Sequence, residues 1–107
     1  MQQLSPTGLK SWLADGDRSG PYLLDVREPW EYALCHIEGA EPIPMASIPA
    51  RSEELPKDRD IVVICHHGGR SQQIALFLEK AGFDRVYNLQ GGLNQWALQV
   101  DPAMPRY

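Results

Sequence analysis

The sequence predicts an α/β protein, with a mostly parallel sheet covered by helices on both faces. Three observations carry this. Short aliphatic runs alternate with helical patterns along the chain, the order that builds a parallel sheet from strand–helix–strand units. One run, Ile61-Val62-Val63-Ile64, is apolar throughout, as a strand buried on both faces must be. The 107 residues, 43% hydrophobic and 22% charged, suit one ordinary core, so a single domain over residues 1–107 is expected.

The elements follow in order. Ser5-Pro6 starts a helix, with serine at the N-cap and proline in the first turn, and Leu9, Trp12 and Leu13 share one face. Asp15 to Pro21 is a loop. Tyr22 to Val26 is a buried strand, and Glu28 to Leu34 a short helix with acidic residues in its first turn. Glu41-Pro42-Ile43-Pro44 reads as an edge strand, because proline cannot join a central ladder. Ser47 to Leu55 is a helix or helical turn, and Lys57 to Asp60 a charged turn. The strand Ile61–Ile64 then leads through a loop at Cys65 into a helix to Lys80, stopped by Gly82. Val86 to Leu89 is a strand, Gly91-Gly92 a turn, Leu93 to Val100 a last helix, and Asp101 to Tyr107 an irregular tail. Trp12, Trp30 and Trp96 read as packing residues.

Composition removes several function classes. The net charge is −4 and lysine and arginine do not cluster, which argues against a nucleic-acid surface. No apolar run approaches the ~20 residues that span a bilayer. The N-terminus has neither a basic start nor an apolar signal segment, so a cytoplasmic setting with reduced thiols is expected. A disulfide between Cys35 and Cys65 does not fit that setting. Cys35-His36 and Cys65-His66-His67 lack the Cys-x-x-Cys spacing of a zinc site, so no metal and no cofactor is expected.

The chemistry concentrates in Cys65-His66-His67-Gly68-Gly69-Arg70-Ser71, between a strand and a helix. A loop with two glycines at a helix N-terminus is a backbone cradle for an anion. A cysteine at its mouth faces N–H groups and the positive end of the helix dipole, surroundings that favour a thiolate. Gly68 and Gly69 let the backbone curl where a side chain would collide. Arg70 has two readings: binding an oxyanion, or bracing the loop against an acidic partner. Ser71 either caps the following helix or donates to the sulfur. His66 and His67 shape the mouth and attract anions when protonated. Sheets of this kind form sites beyond the carboxyl ends of their strands. Asp25-Val26-Arg27, the Cys65 loop and Gln90-Gly91-Gly92 should therefore gather at one edge, with Asp25 and Arg27 as an ion pair.

Four blocks together resemble the rhodanese family of sulfurtransferases. They are Leu24-Asp25-Val26-Arg27 with Glu31-Tyr32; His36 to Ala40 with Ile43-Pro44; the Cys65–Ser71 loop; and Gly91-Gly92-Leu93 with Trp96. They stand in the family's order across nearly the whole chain, with Pro102 to Tyr107 outside them. The resemblance implies a three-layer fold with a five-stranded parallel sheet and a single catalytic domain. It implies that Cys65 carries sulfur as a persulfide, taken from thiosulfate or another persulfide. The acceptor would be cyanide or a thiol such as thioredoxin or glutathione. His66 to Ser71 would bind the substrate, with Asp25, Arg27 and His36 supporting the loop. One departure is Cys35, where the family usually has glycine; it reads as a small buried side chain. Phosphatases and arsenate reductases of related fold also use a cysteine loop ending in arginine. Their loop is one residue longer than the four residues, His66 to Gly69, found here. A non-catalytic binding module is the other alternative, but such modules commonly lose the cysteine or the loop glycines that this chain keeps.

Overall fold

The computed structural model describes residues 1–107. Five strands, β1 (Gln2–Leu4), β2 (Tyr22–Asp25), β3 (Glu41–Pro42), β4 (Ile61–Ile64) and β5 (Val86–Leu89), form one parallel sheet in the order β1-β5-β4-β2-β3. Five helices connect and flank them: α1 (Pro6–Ala14), α2 (Pro29–Leu34), α3 (Ile48–Arg51), α4 (Gly69–Lys80) and α5 (Gly92–Gln99).

The central position of β4 explains its apolar sequence. All four of its residues are buried, and they alternate between faces. Ile61 and Val63 join the cluster with Leu24, Val26, Ile48, Ile74, Leu78, Phe83 and Val86. Val62 and Ile64 join the opposite cluster with Leu9, Trp12, Leu23, Leu89, Leu93 and Trp96. Helices α3 and α4 therefore cover one face of the sheet, and α1 and α5 the other.

Strand β1 went unseen in the sequence. It is three residues long, and Gln2 and Gln3 are exposed, so it carries no apolar alternation. It forms because β5 offers a ladder, with Gln3 opposite Asn88. At the other edge β3 is two residues long and ends on Pro42, as a proline there requires. The segment expected as one helical stretch from Ser47 is α3 between two 3-10 turns, Met45–Ser47 and Ser52–Glu54.

Caps set the helix starts. The Ser5 hydroxyl accepts from the Gly8 N–H at 3.0 Å. At α2, Glu28 and Glu31 form a reciprocal capping box, with Glu31 Oε1 accepting from the Glu28 N–H at 2.9 Å. Trp12 and Trp96 are buried, but Trp30 is 63% exposed and not a core residue. It lies in the first turn of α2 with its edge against the Tyr107 ring. No helix is long and apolar enough to cross a membrane.

Candidate active site

Strand β4 delivers Cys65 to the carboxyl edge of the sheet, where it is 1% exposed. The chain turns back at Gly68, whose φ of +99° a side chain would strain. The turn aims the Gly68 N–H at Cys65 Sγ, 3.0 Å away. Gly69 differs from the sequence reading: it is the first residue of α4, with open space where a Cβ would be. Only Gly68 is demanded by backbone conformation. Ser71 also differs. Gly68 occupies the N-cap of α4, and the Ser71 side chain lies one turn inside. Its hydroxyl sits 3.2 Å from Cys65 Sγ and donates to Asn88 Oδ1 on β5.

The loop's shape is fixed from outside. The start of α5 packs against it so closely that a Cβ on Gly92 would lie 2.4 Å from the carbonyl oxygens of both Cys65 and His66. Those carbonyls accept from the N–H groups of Leu93 at 2.9 Å and Asn94 at 3.0 Å. Two of the free N–H groups at this helix start are therefore spent on holding the Cys65 loop. Strand β2 joins the same edge, with the Val26 N–H donating to the Ile64 carbonyl at 2.9 Å. The three strand-end segments expected to gather do so.

A chain of charged and polar groups runs beside the loop. Arg70 makes a two-pronged ion pair with Glu31, at 2.7 and 2.9 Å. The Tyr107 hydroxyl donates to Glu31 Oε2 at 2.6 Å and accepts from Arg27 Nη1 at 2.9 Å. Arg27 pairs with Asp25 at 2.7 Å and reaches the carbonyls of Glu31 and Cys35. Asp25, Arg27 and Glu31 are all buried. The Arg70 guanidinium holds the Glu31 carboxyl down at about 2, against opposition from burial and with help from Tyr107 and the Glu28 N–H. Burial works against the Arg27 charge, but its hydrogen bonds to Asp25 and Tyr107 more than reverse this and raise its pKa. Burial, then Glu31, pushes Tyr107 up to about 12. Of the two readings of Arg70, the geometry is that of a brace.

The histidines divide. His66 stacks on His67 and lies tilted at 55° against the Tyr107 ring, with centroids 4.0 Å apart in each case. Burial, followed by the His67 charge, lowers the pKa of His66, so this ring stays neutral and adds no cation at neutral pH. His67 is exposed. His36 is also exposed; it stacks on Tyr32 and bonds the Tyr32 carbonyl at 2.9 Å, without joining the loop's network. Cys35 is buried and unpaired, and it lines a small cavity with His66, Leu93 and Tyr107. No three His, Cys, Asp or Glu side chains converge as metal ligands.

Glu31, Asn88, Gly92 and Tyr107 act here in ways the sequence reading missed. Glu31 had a visible signal, an acidic residue in a helix start that the loop's arginine could pair with. Asn88, in a strand bounded by apolar Val86 and Leu89, was a second: a buried amide needs a partner. Tyr107, in a tail without periodicity, gave none.

Chemically, the site is a buried sulfur atom with the Gly68 N–H aimed at it and the Ser71 hydroxyl beside it, and the nearby Arg70 cation is already paired. An N–H aimed at a sulfur, with a helix start behind it, is an arrangement that favours negative charge there. Comparison with known proteins identifies the family. A family model described as a rhodanese-like domain matches residues 5–99. A thiosulfate sulfurtransferase, GlpE, of Pseudomonas fluorescens is 39% identical over 77 residues, which cover 72% of this chain and 71% of that protein. A probable adenylyltransferase/sulfurtransferase, MoeZ, of Mycobacterium tuberculosis is 39% identical over 106 residues. That match takes in 97% of this chain and 26% of the relative, so this chain spans about a quarter of the longer protein's length. Among solved structures, a rhodanese-like domain protein from Staphylococcus aureus superposes with a TM-score of 0.84 at 28% identity, over 100% of this chain and 99% of that one.

Proposed function

This chain belongs to the rhodanese-like family, and from that premise we propose that it moves a sulfane sulfur from a donor such as thiosulfate to a thiol or cyanide acceptor, through a persulfide on Cys65. Relatives named as sulfurtransferases support sulfur transfer in general. The observation that carries the finer reading is the placement of Cys65 Sγ, 3.0 Å from the Gly68 N–H and 3.2 Å from the Ser71 hydroxyl.

The reaction has two balanced halves. The Cys65 thiolate attacks the outer sulfur of thiosulfate. A sulfur–sulfur bond forms to Cys65 as the donor's own sulfur–sulfur bond breaks, and sulfite leaves with the bonding pair. Cyanide, or a thiolate such as that of glutathione or thioredoxin, then attacks the outer sulfur of the persulfide. Thiocyanate or a new persulfide leaves, and the Cys65 thiolate returns. Negative charge lies on or beside the Cys65 sulfur throughout, and the Gly68 N–H and the dipole of α4 face it. Arg70, already paired to Glu31, contributes by holding the outer end of the loop. Two free cysteines fit a reducing, cytoplasmic setting.

The test is a mass spectrum of the intact protein after thiosulfate, then after cyanide or glutathione. The expected result is gain and loss of one sulfur atom, mapped to Cys65, with no gain in Cys65→Ser and most of it kept in Cys35→Ser. Sulfur mapped to Cys35, or no gain from any donor while the protein remains folded, would overturn the proposal and favour a binding module.

A further inference from the structure

The Ser71 hydroxyl poses a proton-counting problem. It carries one hydrogen and stands between two acceptors, Cys65 Sγ and Asn88 Oδ1. Ser71 and Asn88 are 0% and 2% exposed, so water does not settle the conflict. With the proton on the Asn88 side, the sulfur meets an oxygen lone pair. That suits a protonated thiol, whose S–H donates to Ser71 Oγ. It does not suit a thiolate or a persulfide anion, each of which needs the hydroxyl proton for itself.

Beyond Asn88 the hydrogen bonds continue through groups that can reverse. Asn88 Nδ2 donates to Gln3 Oε1 at 2.9 Å, and Gln3 Nε2 donates to Gln72 Oε1 at 3.2 Å. A carboxamide has an acceptor at one corner and donors at the other, so a half-turn exchanges its roles while keeping its shape. If the Ser71 proton swings to the sulfur, Asn88 can turn to donate from Nδ2 to Ser71 Oγ. Its Oδ1 then faces Gln3, which turns to donate in its place, and Gln72 follows. Gln3 and Gln72 are exposed, so the chain ends where water absorbs the last reversal. Strand β1 supplies the middle link: its register against β5 sets Gln3 opposite Asn88. The polar groove over this chain is lined by Gln3, Gln72, Asn88 and Gln90 together with the loop residues Gly68 and Gly69.

We propose that Asn88 and Gln3 are positioning residues that move the Ser71 proton between Asn88 and the Cys65 sulfur as the charge on that sulfur changes. The relay rests on Cys65 as the reacting atom and deepens the proposed function by naming what tunes it. It transfers no electrons and needs no further reactant; only hydrogen bonds are exchanged.

The test uses the exposed end of the relay, where a substitution leaves the core intact. In the 107-residue chain, Gln3→Glu offers only acceptors and holds Asn88 with Oδ1 toward Ser71. Gln3→Lys offers only donors and turns Asn88 the other way. The readout is the rate of iodoacetamide alkylation, mapped to Cys65 by mass spectrometry across pH 5–9, together with the rate of sulfur uptake from thiosulfate. Gln3→Glu is expected to slow alkylation at neutral pH by about fivefold to tenfold, the scale of one hydrogen bond, and to move the pH profile upward. Gln3→Lys is expected to shift both in the opposite direction. Both variants are repeated with Ser71→Ala. A through-space charge effect survives that change, whereas the relay's effect disappears with the hydroxyl. A second pair reports from inside: Asn88→Asp should slow alkylation more than Asn88→Ala, the reverse of what lost packing alone would do. A gap between Gln3→Glu and Gln3→Lys that is equally wide in the Ser71→Ala background overturns the relay, as does no gap. Wild-type protein that takes up no sulfur overturns the proposed function instead, and the alkylation series still decides the relay.

Discussion

Replacing Glu31 by glutamine removes one charge from the brace beside the loop and nothing from its shape. The native carboxylate accepts from Arg70 at 2.7 and 2.9 Å, from Tyr107 at 2.6 Å and from the Glu28 N–H at 2.9 Å. A glutamine keeps one acceptor oxygen and turns an NH₂ group toward at least one of these donors. Breaking a fully buried ion pair costs about 3–5 kcal/mol. The Arg70 side chain is 37% exposed and can regain water, so the expected loss is reduced to about 2–3 kcal/mol. The lowering of the Glu31 pKa from 4.5 to about 2 corresponds to roughly 3 kcal/mol, in the same range. In a chain of this size the melting temperature should fall by ~10 °C. The sign of the pH dependence follows. A carboxyl with a depressed folded-state pKa contributes its stability above the unfolded value and loses it as the pH falls. The difference between wild type and Glu31→Gln should therefore be complete at neutral pH and close between pH 4.5 and about 2. Urea denaturation of both proteins at several pH values measures it. A difference that stays constant down that range, or is absent at neutral pH, refutes the assignment of Glu31 as an ionised brace.

Two further outcomes follow from the same geometry. Arg70→Ala should lower kcat/KM about tenfold, the scale of a charge-assisted contact, and equally for thiosulfate and a neutral persulfide donor; a loss confined to thiosulfate would show that Arg70 leaves Glu31 to bind substrate. Gly92→Ala places a Cβ 2.4 Å from two loop carbonyls at a φ of +59°, so activity should nearly vanish and stability should fall by ~3 kcal/mol; near-native kinetics would mean that α5 does not shape the loop.

Much of this architecture was legible in the sequence because its signals are local. The apolar run of β4, the cap at Ser5 and the proline at the β3 edge each report on their own surroundings. The cysteine loop was legible for the same reason: strand, glycines and helix are contiguous. What escaped depends on distant residues. β1 has no pattern of its own and exists because β5 needs a neighbour. Ser71 looked like a cap from its sequence position, and only Asn88, 17 residues on, reveals its hydroxyl as bound. Tyr107 lies 76 residues from Glu31, and nothing in the tail announces the contact. Gly69 was over-read: a glycine pair suggests shared necessity, whereas the turn consumes only Gly68.

The clamp of α5 on the Cys65 loop bears on how the protein is made. Translation produces Cys65 well before Gly92, Leu93 and Asn94, and Tyr107 later still. Until those residues leave the ribosome, the carbonyls of Cys65 and His66 lack the N–H groups that set their direction, and Glu31 lacks its tyrosine. A truncated or half-synthesised chain thus carries Cys65 without the contacts that set the shape of its loop. The loop takes its final shape only once residues 92–107 have joined the fold.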